Sequence, residues 1–136
     1  MISIKKQQMQ QYLQSDKAKF IISICENLLE NVPELVERLP EDGLQDMVEN
    51  GINKARSYGL ESDEDIAAFV TLMFEIAPNF DFQSDIRKVL TDASIAPEDK
   101  FDQLFAQVSE AAWSEAELNY DSDHWLPSVL KAARSE

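Results

Sequence analysis

The stretch that decides the fold reads YGLESDEDIAAFVTLMF, from Tyr58 to Phe74. Gly59 suits the left-handed position just past the end of a helix, and a second helix can begin after Ser62, whose hydroxyl can accept a bond from one of that helix's first N–H groups. Asp65 adds negative charge at the positive end of the second helix. The stretch therefore predicts a corner between two helices, formed by Tyr58, Gly59, Ser62 and Asp65.

Apolar residues behind this corner recur at i, i+3, i+4, i+7 and i+8, which is the stripe of an amphipathic helix. They are Ile66, Phe69, Val70, Met73 and Phe74. The spacing ahead of the corner predicts a helix over about residues 42–58, with Gly51 in its interior. Because an interior glycine costs about 1 kcal/mol relative to alanine, Gly51 indicates close contact with another helix. We expect these two helices at the packing centre.

The helical period continues through the rest of the chain. It predicts helices over about residues 4–14, 16–31, 85–91, 98–119 and 123–133, a helical turn over 33–39 and an aromatic turn over 80–82. Ser84 can cap the helix over 85–91, and the inward apolar faces of the other segments include Leu29, Leu35, Phe105 and Leu118. Alternation with period two is not seen, so strand content should be near zero. The sequence therefore predicts an all-α fold, a single domain over residues 1–136 with about six or seven helices.

Charge and cysteine content narrow the function classes. With 26 acidic and 12 basic residues, the formal net charge is −14, which disfavours nucleic acid and anionic membranes as partners. A basic protein partner, or simple solubility, fits this balance. The lone cysteine, Cys25, rules out an intramolecular disulfide and lies in an apolar run, which indicates a buried thiol. We expect a cytoplasmic protein, since no signal-peptide pattern and no apolar run of about 20 residues is found.

Groups that carry catalysis are scarce, since the chain has one histidine, one cysteine and no glycine-rich phosphate loop. His124 lies between Asp121 and Asp123, which could be imagined as metal ligands, but no further ligand cluster with recognisable spacing accompanies them. The simpler interpretation is Asp123 as a helix cap with His124 in the first turn. A metal-dependent hydrolase around His124 is a remote alternative, and we predict no enzyme, no cofactor and no metal.

Aromatic residues gather in the last quarter of the chain beside acidic ones. Exposed tryptophan and tyrosine with acidic neighbours suit a basic protein partner, although large aromatic residues also build domain cores. We predict a protein-binding surface formed by Trp113, Glu115, Glu117, Tyr120 and Trp125.

The order of residues also carries a family resemblance. The positions are Ile4, Gln8, Phe20, Pro33, Gly51-Ile52, Ala55, Tyr58-Gly59, Asp65, Leu72-Met73-Phe74 and Phe80-Asp81. In these the chain resembles a family of small helical proteins encoded beside type VI secretion spike and effector genes in proteobacteria. The resemblance covers about residues 4–108 and is sharpest from Gly51 to Asp81. Ile86 stands near where that family usually has tryptophan, and residues 109–136 are divergent.

The resemblance implies an accessory role next to a secreted toxin and brings no settled catalytic activity. We therefore expect a non-enzymatic adaptor or chaperone that holds a cognate toxin or a spike-bound effector. The alternative is a cytoplasmic immunity protein that neutralises a basic toxin such as a nuclease. The two differ in whether the partner's activity is blocked or its delivery is lost, and divergence of the tail suits a part that recognises an individual partner.

Overall fold

A computed structural model describes residues 16–125 of the 136-residue chain. Seven α-helices lie in this part: α1 Asp16–Asn31, α2 Pro33–Val36, α3 Glu41–Ser57, α4 Asp63–Glu75, α5 Ser84–Leu90, α6 Lys100–Gln107 and α7 Glu110–Leu118. Short 3-10 helices lie before α5, before α6 and after α7, at Phe80–Phe82, Pro97–Asp99 and Ser122–Trp125. Residues 16–125 contain no strand, so the all-α prediction is confirmed. The helix predicted over 4–14, and the last predicted helix beyond Trp125, fall outside the described residues.

The described part of the chain divides into two compact units, with the boundary between Val48 and Glu49. In the first unit, α1 buries one face, and Val36 of α2 and Leu44 of α3 are buried as well. The buried residues of α1 are Ala18, Ile21, Ile24, Cys25 and Leu28. Leu29 and Leu35 were expected to point inward but are exposed, because α1 and the single turn of α2 each bury only one side.

The second unit is built on α4, whose apolar stripe is buried over its whole length as predicted. A Cβ atom added to Gly51 would lie 3.0 Å from Met73 Sδ and 3.0 Å from Val70 Cγ2. The close helix contact inferred from this glycine is therefore confirmed. None of the helices that the structure describes is long and apolar enough to cross a membrane.

The corner between α3 and α4 forms as the sequence predicts. Gly59 has a φ of +86°, and its N–H donates to Arg56 O at 2.9 Å, while Leu60 N donates to Ala55 O at 3.4 Å. These two bonds make a Schellman motif, in which Leu60 folds back and is buried. Ser62 Oγ accepts from Asp65 N at 3.1 Å and caps α4.

Two helix boundaries differ from the prediction. The helix expected over 98–119 is broken, because Val108 is extended (ψ 126°) and Ser109 caps a new helix by accepting from Ala112 N at 3.1 Å. At the start of α5, Gln83 Oε1 accepts from two backbone N–H groups, whereas Ser84 was the expected cap.

A third difference from the prediction lies at the end of the described residues. Asp123 was expected to cap a helix, but Asp123 N donates to Asp121 Oδ1 at 3.0 Å, so that Asp121 is the capping residue. The described residues that follow form a 3-10 turn, Ser122–Trp125, in place of the first turn of an α-helix.

Candidate protein-binding surface

A buried carboxylate joins the corner to the aromatic turn. Asp81 has no exposed surface, and its Oδ2 accepts from Tyr58 Oη at 2.6 Å. Its Oδ1 lies 2.7 Å from Lys54 Nζ, which also donates to Pro78 O at 2.7 Å. Because a buried charge is costly unless it is paired, these contacts hold the 3-10 turn Phe80–Phe82 against the last turns of α3. This buried ion pair of Asp81 was not predicted from the sequence.

The surroundings of the Tyr58 hydroxyl favour its protonated form, which can donate the hydrogen bond to Asp81. Burial raises the pKa of the Tyr58 hydroxyl most, and the hydrogen bond to Asp81 and the negative charge of Asp81 raise it further. The next residue, Phe82, is exposed on one side and has Lys54 Nζ 5.2 Å and Arg87 Cζ 5.0 Å from its ring centroid. Cations therefore already lie near this ring, which leaves it poorly suited to a basic partner.

A continuous array of aromatic rings runs from the corner to the surface. Its members, in order, are Tyr58, Phe69, Phe80, Trp113 and Phe105, with successive centroid distances of 5.9, 4.9, 6.3 and 6.0 Å. Phe80 and Phe69 are fully buried, Trp113 is half-buried, and Phe105 at the outer end is 63% exposed. The array thus supports an exposed aromatic ring on a packed core.

The chain segment that carries the outer end of this array is acidic. Between Phe101 and Trp125 the chain has six acidic residues and no lysine or arginine. All six are exposed: Asp102, Glu110, Glu115, Glu117, Asp121 and Asp123. Asp102 precedes Phe105 by three residues, and Glu110 and Glu117 lie three before and four after Trp113, so helical spacing puts each beside a ring. We call Phe105, Trp113, Asp102, Glu110 and Glu117 the acidic aromatic surface.

Of the five predicted binding residues, two belong to the acidic aromatic surface, namely Trp113 and Glu117. Glu115 is exposed, but it lies two residues from Trp113 and so faces a different side of α7. Tyr120 is exposed, and its hydroxyl accepts from Trp125 Nε1 at 2.8 Å. Trp125 is only 9% exposed.

Trp125 is a core residue, which corrects the predicted surface. Its ring packs on Phe74 with 4.5 Å between centroids. Asn50 Nδ2 donates to Trp125 O at 2.9 Å and to His124 O at 3.2 Å, so the backbone at this point is held as well. Asn79 holds the backbone just before this point in the same way. Its Nδ2 donates to Asn119 O and its Oδ1 accepts from Asp121 N, both at 2.9 Å. Residues 119–125 are therefore part of the packed second unit.

The exposure of Phe105 was not predicted from the sequence. Helical spacing put Phe105 on the buried face of one long helix, together with Leu118, which is 86% exposed. Only one side of the short α6 is buried, and that side carries Leu104 and not its neighbour Phe105. The signal that could have found this surface is the lack of lysine and arginine between residues 101 and 125.

The surroundings of His124 are those of a packed side chain. Its Nε2 lies 3.6 Å from Asp121 Oδ2, and its ring meets Phe82 edge-on at 4.5 Å. Within residues 16–125, no group of three or more His, Cys, Asp or Glu side chains is arranged to hold a metal ion.

Comparison of the chain with protein-family models, with curated proteins and with solved structures gives no match. The resemblance to type VI secretion accessory proteins therefore stays a prediction.

Proposed function

We propose that this chain is a non-enzymatic binding protein that holds a basic protein partner on the acidic aromatic surface. One observation carries the proposal: the Phe105 ring is 63% exposed, stacks at 6.0 Å on Trp113 with 22° between the ring planes, and lies in a segment with six acidic residues and no lysine or arginine. Aromatic residues, phenylalanine among them, are enriched at the centres of protein interfaces.

The chemistry of the surface selects cationic partners. The face of an aromatic ring attracts a guanidinium or ammonium group, and arginine stacks on it best. Flanking Lys or Arg side chains of the partner can then pair with Asp102, Glu110 and Glu117. Because Trp113 is held between Phe105 and the buried Phe80, little side-chain entropy is lost when a partner binds. Binding should therefore combine an aromatic anchor with charge-assisted encounter.

The family resemblance suggests who the partner is. Following it, we propose a type VI secretion effector or spike component as the basic partner, with this chain as its adaptor or chaperone in the bacterial cytoplasm. Support comes from the residues of the resemblance between Gly51 and Asp81 and from the net charge of −14. The immunity protein of the sequence analysis remains the alternative, because a basic toxin would fit the same surface.

The direct test is co-purification from the native locus. The tagged chain should retain one basic protein encoded by a neighbouring gene, and Phe105→Ser should lose it. Leu35→Ser is the matched control, because Leu35 is also an exposed apolar residue but lies on α2 in the other unit. If Phe105→Ser still retains the partner, the acidic aromatic surface is not the binding site. If no product of a neighbouring gene co-purifies with the tagged chain, the proposed kind of partner is wrong.

A second assay separates the two roles. An adaptor or chaperone leaves the activity of its purified partner unchanged, and its deletion abolishes delivery of that partner. An immunity protein blocks the activity and rescues cells that express the toxin in their cytoplasm.

A further inference from the structure

The first unit contains a groove that the acidic aromatic surface does not involve. It has a volume of about 570 Å³ and lies among α1, α2 and the beginning of α3. Its apolar lining consists of Ile22, Cys25, Leu29, Val36, Leu39 and Leu44. We call this the α1–α3 groove. Its volume falls within the range of protein ligand sites, about 300–1,000 Å³.

Part of this apolar lining faces solvent. Leu29 is 46% exposed, although it lies on the same helix as the buried Cys25 and one helical turn from it. Covering a leucine side chain that water reaches contributes up to about 1.5–3 kcal/mol for complete burial. Binding of an apolar group in the groove is therefore favoured, because it would bury the exposed part of Leu29.

The polar part of the lining is acidic. It includes Glu26, Glu37 and Glu41, which are all exposed, and the described lining has no lysine or arginine. The charge of Glu41 and Glu26 reaches the apolar part of the groove. The pKa of the Cys25 thiol is raised to about 11, first by burial and then by the negative charge of Glu41, with Glu26 adding less. The groove thus combines an apolar floor with a negative rim.

We propose that the α1–α3 groove binds an amphipathic helix that carries lysine or arginine beside its apolar face. The apolar face, with residues at i, i+4 and i+7, would fill the floor, and the basic residues would pair with Glu26, Glu37 and Glu41. A helix fits better than a strand because helical walls offer no free row of backbone groups to pair with, whereas a bound helix satisfies its own backbone. The proposal rests on the proposed function in one respect, that the partner is basic, and it adds a second contact separate from Phe105.

The probe for this site is a synthetic peptide of about 14 residues, fluorescein-labelled, with leucine and lysine placed at helical period. Fluorescence anisotropy with the full chain should show binding, and a peptide of the same composition in scrambled order should bind much more weakly. Leu29→Ser should weaken binding of the helical peptide without loss of fold, because Leu29 is half exposed. Bound peptide should also slow alkylation of Cys25, the lone cysteine of the chain.

Charge reversal with a matched control tests the rim. Glu26→Lys with Glu37→Lys should weaken binding by at least about tenfold, because attraction becomes repulsion at the groove. Glu61→Lys with Glu75→Lys makes the same change in net charge at exposed positions in the second unit, and should weaken binding much less.

Three results would overturn the groove proposal: no binding of the helical peptide to the full chain, equal weakening by both charge-reversed pairs, or a dimer that dissociates on Leu29→Ser, which would assign the groove to a second copy. Leu118→Ser, at an exposed position outside both the groove and the acidic aromatic surface, should leave peptide binding unchanged. Peptide binding tests the groove, whereas co-purification with Phe105→Ser tests the proposed function. Failure of the groove and failure of the proposed function are therefore separate outcomes.

Discussion

The hydroxyl of Tyr58 donates a 2.6 Å hydrogen bond to Oδ2 of the fully buried Asp81. This bond joins the helix corner to the 3-10 turn that carries Phe80, and Phe69 packs against both Tyr58 and Phe80. The next ring beyond Phe80 is Trp113. The corner is therefore the inner support of the exposed Phe105 ring, which stacks on Trp113.

Removal of the buried carboxylate should destabilise the second unit strongly. We expect Asp81→Ala to lower the free energy of unfolding by about 2–4 kcal/mol, because Lys54 and Tyr58 lose their shared partner. Asp46→Ala, at an exposed position of α3, should change it by no more than about 0.5 kcal/mol. Chemical denaturation measures both. The double substitution Lys54→Met with Asp81→Leu should cost less than the sum of the single ones, and additivity would argue against a coupled pair.

The three glycines should respond differently to alanine. At Gly43 an added Cβ meets Pro40 Cδ at an ordinary 3.8 Å, so Gly43→Ala should stabilise the helix by about 0.5–1 kcal/mol. Gly51→Ala should destabilise by about 1 kcal/mol, because its Cβ would lie 3.0 Å from Met73 Sδ and crowding outweighs helix propensity.

Gly59→Ala should also destabilise, by about 1–2 kcal/mol, but for a backbone reason. Its φ is +86° and an added Cβ would meet nothing within 4 Å. Asparagine tolerates this conformation, so Gly59→Asn should recover part of the loss. Thermal unfolding of the variants checks the order, and equal losses for alanine and asparagine at position 59 would contradict backbone strain as the cause.

Cys25 should react slowly with iodoacetamide at neutral pH. Its pKa is raised from 9.0 to about 11, so at a given pH the folded chain holds less of the reactive thiolate than the unfolded chain. The rate in the folded protein should rise with pH up to about 11, whereas in denaturant it should level off above about 9.

Glu41 should contribute to this pH dependence, since its charge is the second cause of the raised pKa of Cys25. Glu41→Gln should therefore lower that pKa and speed alkylation at pH 9. Glu34→Gln, at an exposed position on α2 outside the groove lining, is the control. Equal rates for both variants would show that the rim charge does not reach the thiol.

Two serines near helix starts, Ser109 at α7 and Ser84 at α5, should differ in their contribution to stability. Ser109→Ala should lower the free energy of unfolding by about 1 kcal/mol, because Ser109 Oγ accepts from Ala112 N. Ser84→Ala should have little effect, since Gln83 and not Ser84 caps α5. A larger loss at Ser84 than at Ser109, measured by denaturant unfolding, would contradict both cap assignments.

Local features of this fold could be predicted from the sequence. The Schellman motif at Gly59, the Ser62 cap and the buried stripe of α4 each depend on residues within a few positions of one another. The first described helix ends at Asn31 as predicted for the same reason, since Pro33 ends the pattern shortly afterwards.

Features that depend on distant residues could not be predicted. The burial of Asp81 is possible because Tyr58 and Lys54, on another helix, supply its partners. Leu104 and Phe105 are adjacent and both apolar, so only the packing of α6 decides which one is exposed. The break at Ser109 was missed because no Glu or Gln follows it at the third position to complete a capping box.

Photo-crosslinking at position 105 in cells tests whether a basic protein binds at Phe105, as we propose. The chain would carry benzoylphenylalanine in place of Phe105, with the same residue at Glu61, an exposed position in the corner loop, as control. We expect one dominant adduct from position 105, with a basic protein encoded beside this gene, and none from position 61. No adduct from position 105, or the same adducts from both positions, would contradict it.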